Sequence, residues 1–166
     1  MTAAFARGFG RLAVIGAVAL WAVAASAKAE AGPFSGLGGR WTGSGHIEMS
    51  NGSKERIRCR ASYEVDSSGR AMHQSLRCAS DSYNFELRSD VESRGNEVFG
   101  NWAELTRNIG GKLSGYYRGG RIDVSVKSET FKAQLILVSR GNRQTVIIKS
   151  QGAQFSGATI SLSRRG

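Results

Sequence analysis

Short alternating segments separated by turn residues place the strongest constraint on the fold of this chain. From Ile57 to Val65, apolar and polar residues alternate with a period of two, which places them on opposite faces of a β-strand. The same alternation recurs at 83–87 and 122–126. Strand-like segments follow one another from Arg40 onward, and no segment of similar length has a helical period. The pattern predicts an all-β domain.

Turn signals divide this domain into about eight to ten strands. Glycine and asparagine are frequent between the strand-like segments, because both residues tolerate the positive φ of tight hairpin turns. The short connections favour antiparallel neighbours, since parallel pairs need crossovers of a dozen residues or more. We expect a single antiparallel meander that closes into a barrel, or a closely related sandwich. The predicted turns lie at 50–53, 66–69, 92–96, 108–111, 119–120 and 141–142.

The N-terminal segment has the features of a secretory signal peptide. Arg7 and Arg11 precede an apolar run at 12–25, and small residues follow it. This run of 14 residues is shorter than the roughly 20 that a membrane-spanning helix requires. We therefore predict an exported protein, periplasmic or secreted. No later stretch is long and apolar enough to form a spanning helix.

Signal-peptide cleavage defines the predicted domain organisation. Small residues at alternating positions allow cleavage after Ala27, Ala29 or Ala31. We expect a signal peptide at 1–27, an N-terminal linker at 28–39 and a barrel domain at 40–166. The signal peptide contains two arginines and no acidic residue, so the formal charge of +10 falls to +8 in the mature chain. The basic character therefore belongs to the folded domain.

The two cysteines lie on either side of the predicted turn at 66–69. In a register that places Cys59 opposite Cys78, Ala61 faces Leu76, so apolar residues meet apolar residues. The spacing is not the Cys-x-x-Cys of redox-active pairs. In an exported chain we expect a structural disulfide between Cys59 and Cys78.

A basic face is predicted on the same hairpin. Arg56, Arg58 and Arg60 alternate along one strand, the cysteine register places Arg77 opposite Arg60, and Arg88 follows on the next strand. Such a face would attract an envelope polyanion or an anionic membrane surface, or would bind another protein. It would equally protect the strands against edge pairing. Nucleic acid is not an expected partner, because export removes the chain from the cytoplasm.

The barrel interior is either filled by side chains or holds a small ligand. Many glycines and alanines at strand positions favour a cavity for a small apolar, amphipathic or anionic molecule. Two functions therefore remain open: a ligand-binding barrel, and an envelope interaction module or inhibitor acting through the basic face. The aromatic candidates for the cavity wall are Trp41, Tyr63, Phe85, Trp102 and Tyr117.

Catalytic and metal-binding patterns are missing from the sequence. His46 and His73 belong to no cluster with the spacing of metal ligands. A nucleophile elbow and a phosphate-binding loop are also lacking. We expect no enzyme activity, no metal and no cofactor.

The segment Gly39-Arg40-Trp41 resembles the opening of calycin-type barrels such as the lipocalins. This resemblance implies that a basic residue of the last strand, Arg164 or Arg165, packs over Trp41 and closes the barrel. The blocks at 58–61 and 76–83 also resemble a group of exported alphaproteobacterial proteins, which implies export and a shared fold but no known activity.

Overall fold

Ten antiparallel strands close into one barrel. The computed structural model describes residues 31–129 and 132–166, so the predicted signal peptide at 1–27 lies outside the described residues. Each strand pairs with the next, and β1 pairs with β10 to complete the ring. The all-β prediction and the closed meander are confirmed, and the sandwich alternative is wrong. The strands are β1 (Gly39–Met49), β2 (Lys54–Val65), β3 (Ala71–Ala79), β4 (Asn84–Arg94), β5 (Glu97–Glu104), β6 (Ile109–Arg118), β7 (Arg121–Lys127), β8 (Lys132–Arg140), β9 (Arg143–Gln151) and β10 (Phe155–Arg164).

The cysteine register of the β2–β3 hairpin is confirmed. Cys59 and Cys78 are direct partners with Cα atoms 4.2 Å apart, and a disulfide joins them. Ala61 pairs with Leu76, as the hydrophobic pattern predicts. Both sulfurs belong to the buried core. Cross-linking of a loop of this length stabilises the fold by roughly 3 kcal/mol through the entropy of the unfolded chain.

The β5–β6 connection differs from the prediction. It occupies residues 105–108, and the expected turn glycines Gly110 and Gly111 continue into β6. Asn108 takes the positive φ of 52° in this turn. Side chains at the two glycines would press against the carbonyl oxygens of Trp102 and Lys127. Glycine is therefore needed here for the close approach of neighbouring strands, and not for the turn.

Residues 31–38, within the expected linker, pack onto the barrel. Phe34 is fully buried and Leu37 is nearly so. The backbone N–H of Gly32 donates to Ser68 O at 3.0 Å, and that of Phe34 donates to Gly69 O at 2.9 Å. Burial of these two apolar side chains lowers the free energy of the folded state, because the barrel end provides a site where they leave water. We call this end, which holds the start of β1 and the end of β10, the closed end, and the opposite end the open end.

Two inward-facing glycines bring β1 and β10 unusually close together. A Cβ added at Gly43 would collide with the carbonyl of Ser161, and one at Gly45 would collide with the carbonyl of Thr159. The sequence predicts that small residues at strand positions leave free space, but at these two glycines the strands lie closer together and occupy that space. Large buried side chains fill this corner of the barrel: Trp41, Ile47, Ile57, Ile160 and Leu162.

The substitution Gly45→Ala tests this close approach. We expect a loss of about 1–3 kcal/mol in unfolding free energy, because the new methyl group must push two strands apart. Gly36→Ala is the matched control, since a Cβ there meets no atom within 4 Å. Its effect should stay within about 0.5 kcal/mol. Equal stability of the two variants in urea unfolding would contradict the packing described.

The carboxylate of Asp66 organises the β2–β3 turn. It accepts the backbone N–H of Arg70 at 2.8 Å and of Ala71 at 2.9 Å, together with the hydroxyl of Ser68 at 2.5 Å. The Ser68 hydroxyl and these amides lower the pKa of Asp66 to about 2. Because the same turn binds residues 31–38, Asp66 also supports the closed end.

Stability should therefore depend on pH through Asp66. The folded state has the lower pKa, so ionised Asp66 stabilises the fold above the ordinary value of 3.8, and this stabilisation disappears as the pH falls toward about 2. Asp66→Asn should lower Tm at neutral pH, and its difference from the native chain should shrink at acid pH. Asp81→Asn, in the exposed β3–β4 connection, is the control. A difference that stays constant down to pH 2 would refute this role of Asp66.

Candidate ligand cavity

A cavity of about 420 Å³ lies inside the barrel and reaches its open end. Its volume falls within the range of small-molecule sites. Strands β3 to β9 and the start of β10 contribute its wall, whereas no described residue of β1 or β2 does. The cavity is therefore displaced from the barrel axis, away from the filled corner. Its apolar wall includes Leu87, Val98, Trp102, Leu113, Val124, Leu135 and Ile148.

Three aromatic rings separate the cavity from the filled corner. Phe85 on β4 stacks on Phe155 of β10, with ring centroids 6.4 Å apart and planes at 8°. The ring of Tyr83 meets Phe155 edge-on at 5.7 Å. Strands β4 and β10 are not neighbours in the sheet, so these contacts cross the interior. The rings thus form one side of the cavity near its mouth.

One polar pair lies deep in the apolar wall. Gln74 on β3 and Ser89 on β4 are direct partners, and the Ser89 hydroxyl donates to Gln74 Oε1 at 3.2 Å. Both residues are buried and both line the cavity. The Nε2 group of Gln74 makes no hydrogen bond with any described residue. It is a donor available to a polar atom of a bound molecule.

Arg107 lies at the mouth and joins three connections of the open end. Its guanidinium carbon lies 4.3 Å from the ring centroid of Tyr83. Nη1 donates to the backbone carbonyl of Asn84 at 3.0 Å and to Glu104 Oε2 at 3.4 Å. Nη2 donates to Gln154 Oε1 at 3.4 Å. The side chain is therefore held in place by an aromatic face and by groups from separate loops.

Glu104 is the second charged residue at the mouth, and the backbone holds it. Its Oε1 accepts the N–H of Glu86 at 3.0 Å and that of Thr106 at 3.1 Å. Its Oε2 accepts the N–H of Arg107 at 2.8 Å. Burial alone would raise the pKa of Glu104, but these hydrogen bonds outweigh it and lower the pKa below its ordinary value. Glu104 is ionised at neutral pH and fixes the β5–β6 turn.

Trp41 and Arg164 close the opposite end of the barrel. The Arg164 guanidinium lies over the Trp41 ring, 4.7 Å from its centroid. Arg164 Nη2 also donates to the carbonyl of Gly36, and Trp41 Nε1 donates to that of Leu37 at 2.9 Å. The indole and the guanidinium thus hold residues 31–38 through the carbonyls of two consecutive residues, Gly36 and Leu37. Of the two candidates for this position, Arg164 takes it, while Arg165 lies outside and donates to Thr42 Oγ1.

Tyr63 packs beside this closure. Its ring meets Trp41 edge-on with centroids 6.4 Å apart, and its hydroxyl donates to Gln144 Oε1 at 2.7 Å. Burial raises the pKa of Tyr63, and the hydrogen bond to Gln144 offsets only part of that rise. The phenol is therefore neutral and serves packing at the closed end.

The five aromatic candidates for the cavity wall lie at different heights in the barrel. Phe85 and Trp102 line the cavity. Trp41 and Tyr63 belong to the closure at the other end. Tyr117 borders a shallow depression outside that closure. Residue alternation identifies the inward face of a strand, but it does not give the height of a residue along the barrel axis.

The predicted basic face lies on the outer wall of β2 to β4, away from the cavity. Arg56, Arg58 and Arg60 are exposed there, and Arg77 is the direct partner of Arg60. Arg77 and Arg88 both form ion pairs with Glu86, at 3.0 and 3.1 Å. The hydrogen bond from Arg77, with the further help of Arg88, lowers the pKa of that carboxylate. One acidic residue therefore offsets part of this positive surface.

Neither histidine contributes to the cavity. His46 points outward from β1, and His73 Nδ1 lies 2.7 Å from Asp90 Oδ1 on the outer wall. Residues 31–129 and 132–166 contain no cluster of three or more side chains that could hold a metal ion. In the same part of the chain, no helix has the length and apolar character needed to cross a membrane.

The polar residues of the cavity are those that the sequence did not reveal. Gln74 and Ser89 were consistent with inward strand positions but carry no motif. Glu104 is the last residue of β5 and Arg107 lies in the connection that follows it, which the sequence pattern places too late in the chain. A turn placed three residues earlier, at 105–108 instead of 108–111, would set both charged side chains at the barrel rim.

The closed ten-strand meander, with a tryptophan of β1 under an arginine of β10, is a barrel of the calycin type. The crystal structure of Rv2717c from M. tuberculosis is similar, with a TM-score of 0.62 and 11% identity over 80% of this chain and 94% of that chain. The structure of the S-type phycobiliprotein lyase CPES from Guillardia theta is also similar, with a TM-score of 0.57 and 10% identity over 80% and 90% of the two chains. At these identities the likeness establishes the fold alone.

Sequence comparisons add no family to this fold. No protein-family model matches the chain, and no curated protein matches it either. The resemblance to exported alphaproteobacterial proteins stays a prediction.

The barrel closure can be tested by comparing two adjacent arginines. Arg164→Gln removes the cation over Trp41 and the bond to Gly36, so we expect a loss of about 1–2 kcal/mol in unfolding free energy. Arg165→Gln removes one exposed hydrogen bond and should change stability by less than about 0.5 kcal/mol. Urea unfolding followed by tryptophan fluorescence measures both. Equal losses would show that the closure does not depend on Arg164.

Proposed function

We propose that the mature protein is an exported, non-enzymatic barrel that binds a small, largely apolar molecule in its cavity. The observation that carries this proposal is the apolar cavity of about 420 Å³, which is sealed at one barrel end and reaches the other. The preference for an apolar ligand follows from the walls, because contact with such a ligand removes apolar surface from water.

The packing of the remaining interior supports this proposal. Strands β1, β2 and β10 fill their corner with large side chains and approach each other through Gly43 and Gly45. The same chain leaves space between β3 and β9, where Trp102 and Leu135 line the cavity. Protein interiors are normally close-packed, so a void of this size beside a tight core suits a ligand.

The polar pair in the wall supports a ligand with one polar group. Gln74 and Ser89 are buried among apolar side chains, and Gln74 retains a donor facing the cavity. Pockets for small molecules commonly combine apolar walls with a few placed polar groups. We propose that this pair orients the ligand.

Export is supported by two independent features. The apolar run after Arg7 and Arg11 has the length of a signal-peptide core. The disulfide between Cys59 and Cys78 forms most readily in an oxidising compartment. A ligand would then be taken up outside the cytoplasm.

A cavity-filling substitution tests the proposed site. The neutral dye N-phenyl-1-naphthylamine fluoresces in apolar sites, and we expect the folded protein to bind it. Val124→Trp places a large ring in the cavity and should weaken dye binding at least about 10-fold, which corresponds to about 1.4 kcal/mol.

Ser125→Trp is the matched control, because the adjacent residue of β7 points outward and is exposed. It should bind the dye like the native chain. Circular dichroism and Tm establish that both variants are folded. Undiminished binding by folded Val124→Trp, or no binding by the native chain, would exclude the cavity as the site.

A further inference from the structure

We propose that the ligand carries an acidic head group, a carboxylate, which Arg107 binds at the cavity mouth while the apolar part fills the interior. This inference rests on the proposed function and adds the chemical class and the orientation of the ligand. It follows from the distribution of charge around the cavity.

Charge is confined to the mouth. Among the described residues that line the cavity, Glu104 and Arg107 are the only charged ones. A charged group of a ligand deep in the apolar wall would lose its hydration without a counter-ion, which is strongly unfavourable. An ionic head group must therefore stay near these two residues, and the apolar part must point inward.

The two charged residues differ in what they can still bind. Both oxygens of Glu104 already accept backbone N–H groups, from Glu86, Thr106 and Arg107. This carboxylate is committed to the β5–β6 turn and has little capacity for a cationic ligand. Arg107 is therefore the charged residue with hydrogen-bonding capacity left for a ligand, and its N–H donors match an anionic acceptor.

Arg107 keeps unused donors. A guanidinium has five N–H donors, and only Nη1 and Nη2 bond to protein acceptors among the described residues. The bonds to Glu104 and Gln154 are both long, at 3.4 Å. A carboxylate can replace the neutral amide oxygen of Gln154 and form the stronger, charge-assisted pair.

The arginine is also held ready for such a pair. Its planar group stacks on Tyr83 and is tied to the carbonyl of Asn84 at 3.0 Å. The side chain remains 30% exposed, so an incoming ligand can reach it. Little side-chain freedom is lost on binding, and preorganisation of this kind favours affinity.

Competition against the neutral dye tests this inference. Decanoate and decanol have the same chain and differ in the head group, and each is titrated against protein-bound N-phenyl-1-naphthylamine at neutral pH. For Arg107→Gln we expect the dissociation constant of decanoate to rise about 10-fold or more, while the dissociation constant of decanol stays within about twofold of the native value. Arg107→Lys keeps the positive charge but loses the planar guanidinium. Its affinity for decanoate should lie between those of the native chain and Arg107→Gln.

Arg60→Gln, on the outer wall, controls for the general loss of a positive charge and should leave both constants unchanged. Equal weakening of decanoate and decanol by Arg107→Gln would overturn the inference, because Arg107 would then only shape the mouth. An unchanged decanoate constant would also overturn it. Failure of the proposed function is a separate result, since the native chain would then bind neither the dye nor decanol.

Discussion

The pairing of β1 with β10 is the contact on which the remaining structure depends. It runs from Trp41 opposite Arg164 to Met49 opposite Phe155, and it converts a ten-strand meander into a ring. A closed ring leaves no strand edge open to pairing with another chain. Gly43 and Gly45 permit the close approach of the two strands, since any side chain there would collide with the backbone of β10. The β1–β10 contact therefore both closes the barrel and packs its interior tightly at this corner.

This closure also determines where the cavity lies. Because the corner of β1, β2 and β10 is filled, the free volume moves toward β3–β9. The pair of Trp41 and Arg164 holds residues 31–38 across one end, so the cavity is accessible from the other. The stacked rings of Phe85 and Phe155 then separate the filled corner of the interior from the cavity. A uniformly packed barrel would have no such division.

The few polar groups of the cavity are arranged by depth, with neutral groups in the wall and charged groups at the mouth. Gln74 and Ser89 share one hydrogen bond in the wall, where a charge would be too costly, and Gln74 Nε2 keeps its donors for a ligand. Glu104 and Arg107 lie at the mouth, where water and backbone amides can stabilise ionised groups. An amphipathic ligand matches this arrangement, with its apolar part inside and its polar part at the rim.

The sequence by itself determined the strands, most of the turns, the antiparallel order and the register of the cysteine hairpin. Period-two alternation is a local property, and it reports which residues face inward. The pairing of Cys59 with Cys78 followed from the same pattern, and the resemblance to calycin barrels indicated that a cation would cover Trp41. Only the tertiary structure decided that Arg164 and not Arg165 is this cation, that residues 31–38 seal one end, and that Arg107 reaches the mouth. These features depend on the height of each residue along the barrel and on contacts between strands distant in sequence, which closure of the sheet determines and local periodicity does not encode.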